Sequence, residues 1–157
     1  MNANIAGREA GRKWREVLLK EFKKDPEWGQ LDLTPSGKIV SKIGSRPNKK
    51  IVVRYSKLHD GQIWWYDINK TDWKNWGDNT YLVLLLADGN RCGFALLSPS
   101  EARELLTKII PTDSKEAKII HLIQEPGSSK SPYIRQWEDF CLKSRVHPLS
   151  PQEGQTT

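Results

Sequence analysis

Tyr81-Leu82-Val83-Leu84-Leu85-Leu86-Ala87 is an unbroken apolar and aromatic run. It is far shorter than the roughly 20 residues a membrane-spanning helix needs. A strand with one wet face would alternate polar and apolar side chains, and this one does not. The run therefore predicts a strand covered on both faces, at the centre of a layered fold. Asp88-Gly89-Asn90 supplies turn residues directly after it, and Cys92 to Leu97 reads as the return strand. Residues 81–97 are thus expected to form the central hairpin of the sheet.

The same signals extend outward from this hairpin. Downstream, Ser98-Pro99-Ser100-Glu101 has the form of a helix start: a capping serine, proline at the first helical position and a glutamate set for a capping box. A helix is expected from Glu101 to Ile110, stopped by Pro111. Lys118 to Gln124 is rich in β-branched residues and is read as a strand, with a helix capped by Asp113 as the alternative. Tyr133 to Lys143 is read as a last helix, and residues 147–157 as a disordered tail.

Upstream, Ile51 to Leu58 alternates as a strand, and Asp60-Gly61 is a strong turn pair. Gln62 to Asn69, with Ile63-Trp64-Trp65-Tyr66 at its centre, is expected to pair back on it as a hairpin. Gln30 to Thr34 and Lys38 to Ile43 read as two more strands separated by the turn Pro35-Ser36-Gly37. Before them, Ala10, Trp14, Val17, Leu18 and Phe22 recur at helical spacing, which predicts an amphipathic helix over residues 6–24 that ends before Pro26. Gly7 and Gly11 interrupt it, so either the helix starts after Gly11 or another backbone packs closely there. The expected fold class is α+β: a mixed central β-sheet of about five to six strands, flanked by an N-terminal amphipathic helix and C-terminal helices. One domain over residues 1–146 suits a chain of 157 residues.

Charge is the most informative bulk property. Residues 1–57 hold 14 Lys/Arg against 6 Asp/Glu, whereas residues 58–157 hold 11 against 13. Leu33 to His59 contains Lys38, Lys42, Arg46, Lys49, Lys50, Arg54 and Lys57 and no carboxylate. Such segregation points to a polyanionic partner, because each cation brought to a phosphate releases condensed counterions. These seven residues are the candidate nucleic-acid contacts. Tyr55 and Trp64, on neighbouring strands, are candidate base-stacking residues. Trp64 and Trp65 must face opposite sides of a strand, so at most one of them is a platform.

Catalytic signals are weaker. His59, His121 and His147 sit in no metal-ligand spacing, and there is no glycine-rich phosphate loop, GxSxG elbow or HExxH motif. Cys92 and Cys141 match no zinc or redox pattern and are expected to be buried free thiols in a reducing cytoplasm. No signal segment is visible at the start of the sequence.

The succession Lys49-Lys50-Ile51-Val52-Val53-Arg54-Tyr55-Ser56, Trp64-Trp65-Tyr66-Asp67-Ile68, Tyr81 to Leu86 and Leu96-Leu97-Ser98-Pro99 resembles the restriction-endonuclease-like (PD-(D/E)xK) superfamily over residues 50–108. The resemblance implies a metal-binding acid, a spacer and a lysine on one strand. Here Arg54 stands at the lysine position and Val52 at the acid position. Asp32 would stand in for the first metal-binding acid and Glu9 for an acid on the leading helix. Valine cannot ligate Mg²⁺, which takes hard oxygen donors. The expectation is a nucleic-acid-binding domain with a degenerate active site and no cofactor, accessory to DNA metabolism or defence. An active Mg²⁺-dependent endonuclease using Asp32 and a protein-interaction module whose basic face meets an acidic partner are the alternatives.

Overall fold

The computed structural model describes residues 3–24, 30–33, 39–43, 50–109, 117–124, 132–137, 140 and 146–149; residues 3–8, 30–33, 39–43 and 72 are described in their backbone alone. The chain is α+β, and its centre is a mixed six-stranded sheet. Its strands are β1 (Gln30–Leu33), β2 (Ile39–Ile43), β3 (Lys50–Lys57), β5 (Thr80–Asp88), β6 (Arg91–Leu97) and β9 (Val146–Leu149), in the spatial order β1-β2-β3-β5-β6-β9. The pairing is antiparallel throughout except between β3 and β5, which run parallel. A second, three-stranded antiparallel sheet has the order β4 (Ile63–Ile68), β7 (Lys118–Ile123), β8 (Tyr133–Ile134).

The run Tyr81–Ala87 lies where its composition predicts. Leu84 is opposite Arg54 of β3 on one side and Ala95 of β6 on the other. Side chains of β5 alternate between two cores, as a period of two requires. Val83, Leu85 and Ala87 pack with Ile51 and Val53 against helix α1 (Ala3–Lys23), which contributes Trp14, Val17, Leu18 and Phe22. Leu82, Leu84 and Leu86 pack with Val52 against the second sheet and helix α3 (Pro99–Thr107), which contribute Trp64, Tyr66, Ile68, Ile120, Leu122, Leu105 and Leu106. The layers are therefore α1, the six-stranded sheet, and the smaller sheet with α3. The expected capping box is formed: Ser98 Oγ accepts from the Glu101 N–H, and the Glu101 carboxylate accepts from the Ser98 N–H at 2.9 Å. Lys118 completes the other end of α3, its Nζ donating to the Leu106 carbonyl at 2.6 Å and lying over the Trp73 ring.

Three expectations are corrected. Asp60 and Gly61 do make the turn, both at positive φ, with the Gln62 N–H donating to the His59 carbonyl at 3.0 Å. The strands on either side nevertheless do not form a hairpin sheet: β3 pairs along its length with β5, and β4 crosses to the second layer and pairs with β7. The physical reason is in the side chains. β3 and β5 are buried on both faces, while β4 buries Trp64, Tyr66 and Ile68 and exposes Trp65 and Asp67, so it suits an outer layer. Second, Tyr133 to Trp137 are not helical; they form β8, a turn and a bridge back to Ile134, because β7 offers an edge that Tyr133 and Ile134 complete. Third, the supposed tail begins with β9, in which Leu149 is buried against the α1 core and Val146 to Leu149 pair with β6. Residues 150–157 lie outside the described residues.

Gly11 also differs from expectation. The helix runs straight through it, and what lies against it is the side chain of Tyr55, 3.5 Å from where a Cβ would stand, not a backbone. Cys92 is a buried free thiol, pushed up to about 12 by burial; Cys141 lies outside the described residues. Among the described residues no helix is long and apolar enough to cross a membrane.

Candidate nucleic-acid interface

Strand β3 carries the described part of the basic stretch. Lys50 opens it, half-buried and paired with Thr80, its N–H donating to the Asn79 carbonyl at 3.0 Å. Arg54 is half-buried in the middle, with Nη1 donating to the Val53 carbonyl at 3.2 Å. Lys57 is exposed at the end. Lys38, Arg46 and Lys49 lie outside the described residues. Lys42 and Asp32 occupy positions in β2 and β1, Asp32 opposite Val40, but their side chains also lie outside the description. Glu9 is exposed on α1.

A cation that the sequence reading did not nominate joins this strand. Gly11 rests on Tyr55, and Arg15 is one turn further along the same side of α1. Arg54 adjoins Tyr55 in β3, and by the period of two its side chain leaves the strand on the face of Val52 and Ser56, opposite to the one α1 covers. Burial first, and then the like charge of Arg54, hold Arg15 below the ordinary arginine value. Arg15 Nε is buried and has no hydrogen-bond partner. The sequence signal for Arg15 is slight: it stands at the margin of the apolar stripe, next to Trp14 and four residues after Gly11.

The two proposed stacking residues fare differently. Tyr55 is half-buried beneath α1, and burial raises its phenol above the usual value, with Cys92 adding to the effect. Trp64 is overturned as a platform. It is 6% exposed, sits in the core between the sheets and donates its Nε1–H to the Ala87 carbonyl at 3.0 Å. Its neighbour Trp65 is the one turned outward, 53% exposed. Asp67, two residues on, is also exposed, and this is the sign in the sequence that could have told the two tryptophans apart.

Trp65 lies between two imidazoles. The His59 ring is 5.3 Å away at a 33° tilt, and the His121 ring is 6.0 Å away and edge-on. His121 is held by Gln136, whose Oε1 accepts from the His121 N–H at 3.2 Å while Nε2 donates to the Ile119 carbonyl and to His121 Nδ1, each at 2.9 Å. Nδ1 is therefore the acceptor and the neutral ring carries its proton on Nε2.

Among the described residues no three His, Cys, Asp or Glu side chains converge on a point that could hold a metal. Val52, at the position the nuclease resemblance assigns to a metal-binding acid, is fully buried in the core between the layers.

No family model, curated protein or solved structure matches the chain.

Proposed function

We propose that the protein binds nucleic acid through the phosphate backbone, along the surface where α1 lies over β3. The observation that carries this reading is the segregation of charge: Lys38, Lys42, Arg46, Lys49, Lys50, Arg54 and Lys57 fall between Leu33 and His59 with no carboxylate among them. A sign asymmetry of this kind is the electrostatic footprint of a polyanionic partner. Lys57 is exposed at the end of β3, and Arg12, Lys13 and Lys20 are exposed on α1. Backbone binding of this kind is governed by charge and is insensitive to base sequence.

The proposal includes a nuclease-like ancestry in which cleavage has been lost, with an accessory role in DNA metabolism or defence. Val52 in the core supports it, since a buried apolar side chain offers no oxygen to a cation.

The decisive experiment measures affinity for a random duplex against salt concentration. The logarithm of affinity should fall with the logarithm of salt by about 0.9 per phosphate contact. Replacing Lys49 and Lys50 together by alanine should flatten that slope by about two units and leave folding intact. Binding that ignores salt would replace this reading with an acidic protein partner. Mg²⁺-dependent cleavage abolished by Asp32→Ala would replace it with a nuclease.

A further inference from the structure

We infer that Trp65, set between His59 and His121 on the outer face of the smaller sheet, is a stacking platform for an unpaired nucleobase. The inference rests on the nucleic-acid reading and names its substrate class: a single strand, whose bases are free to meet a protein ring. Trp65 is the only large apolar side chain exposed among the described residues. One exposed apolar side chain is ordinary in itself. This one is fixed from several directions. Its backbone N–H donates to Ser56 Oγ at 3.0 Å. The His59 ring lies against it, and His59 is held by two backbone hydrogen bonds with Ile63, at 2.7 and 3.1 Å. The His121 ring meets it edge-on, and Gln136 holds that ring. An indole already immobilised gives up little conformational freedom when a base stacks on it.

The surroundings select the ligand. His59, His121, Asp67 and the exposed Arg135 stand about the indole, so there is no continuous apolar patch of the kind a protein partner buries. Arg135 is placed there by its N–H, which donates to the His121 carbonyl at 2.8 Å. A single flat ring with polar edges suits such a place. With Nδ1 engaged by Gln136, His121 keeps Nε2–H as a donor for a base edge. Tyr133 of β8, half-buried and opposite Ile123, is a second aromatic side chain on the same face.

Charge sets the direction of a bound strand. Asp67 is exposed two residues beyond Trp65 in β4 and repels phosphates from that end. His59 bridges to Ile63 at the other end, and the exposed Lys57 stands two residues before His59. The stretch without carboxylates thus ends at the residue whose ring lies against Trp65. A strand stacked on the indole passes its phosphates toward those cations.

The test titrates the wild type, Trp65→Ala and Trp65→Phe with three labelled ligands at one salt concentration: a thymidylate oligomer, an abasic strand of the same length, and a random duplex. The wild type should bind thymidylate about tenfold more tightly than the abasic strand. Trp65→Ala should erase that difference by weakening thymidylate binding alone, and Trp65→Phe should keep most of it. The abasic comparison tests the platform on the wild type, without any substitution. A wild type that binds both single strands equally, or a Trp65→Ala variant that loses no thymidylate affinity, overturns the platform and leaves the phosphate-backbone reading standing. Equal weakening on all three ligands also overturns it, because the indole would then act through the fold. So would a dimer in sedimentation that Trp65→Ala dissociates, which would give the indole to a second copy of the chain. A protein that binds none of the three ligands overturns both readings.

Discussion

The indole Nε1–H of Trp64 donates to the backbone carbonyl of Ala87 at 3.0 Å, joining the smaller sheet to the central strand of the larger one. Ala87 also receives the Leu58 N–H, at 2.8 Å, so both lone pairs of that carbonyl are used. Tyr66 repeats the device two residues later in β4, its hydroxyl donating to the Leu85 carbonyl at 2.9 Å. Ser56 adds a third tie, accepting from the Trp65 N–H at 3.0 Å while donating to the Lys57 carbonyl. The two sheets are thus held by directed hydrogen bonds as well as by apolar packing.

Trp64→Ala should therefore cost about 3–5 kcal/mol, and Trp64→Phe about 1–2 kcal/mol for the lost hydrogen bond and the smaller ring. Trp65→Ala, on the outer face, should cost under about 1 kcal/mol. Urea denaturation of the three variants checks the order, and a larger loss at Trp65 would mean that the inward and outward sides of β4 are exchanged.

Leu84→Asp should prevent folding. Leu84 is fully buried between Arg54 and Ala95 in the middle of β5, where a carboxylate costs several kcal/mol and the whole domain has only about 5–15 kcal/mol to lose. A variant with a wild-type melting curve would contradict the central place of this strand.

The two buried or half-buried glycines beside a strand or side chain should respond in opposite directions. At Gly11 a Cβ meets Tyr55 at 3.5 Å, an ordinary contact, so Gly11→Ala should stabilise α1 by up to about 1 kcal/mol. At Gly93 a Cβ would stand 3.2 Å from the His147 carbonyl oxygen and 3.4 Å from Val146, so Gly93→Ala must push β9 aside and should cost about 1–3 kcal/mol. Thermal melts of the two alanine variants should move to either side of the wild type.

Stability should decline on mild acidification because of His121. Burial, then Arg135, hold this ring below 6.5, with Asp67 opposing them. The unfolded chain therefore takes up the proton first as the pH falls through 6.5. Stability that is fully present above that value is lost below it, and the loss levels off beneath the folded value. A proton on Nδ1 would also face the Gln136 amide donor. The melting temperature of the wild type should drop more between pH 7.5 and 5 than that of His121→Gln; parallel curves would clear His121 of the effect.

Much of this architecture was legible along the chain. Tyr81 to Ala87 has no polar residue, and a strand can hide such a run only by being covered on both sides, which is what α1 and the second layer do. Ser98 to Glu101 forms its capping box because that motif is satisfied within four residues. The apolar stripe of α1 is likewise a local property of Trp14, Val17, Leu18 and Phe22. These features depend on residues near one another, so periodicity and turn chemistry suffice to find them.

Other features were decided by partners far away in the sequence. Asp60-Gly61 dictates a turn, but whether β4 returns to β3 depends on which strand takes the β3 edge, and β5 takes it. Tyr133 and Ile134 have helical spacing with Trp137, yet the free edge of β7 draws them into a strand. Val146 to Leu149 look like the start of a tail until β6 pairs with them. The basic character of residues 33–59 is plain in the sequence, because charge is additive along a chain. That Gly11 meets the side chain of Tyr55 is not, because it follows from the angle and height at which α1 settles on the sheet, and only the packed tertiary structure determines those.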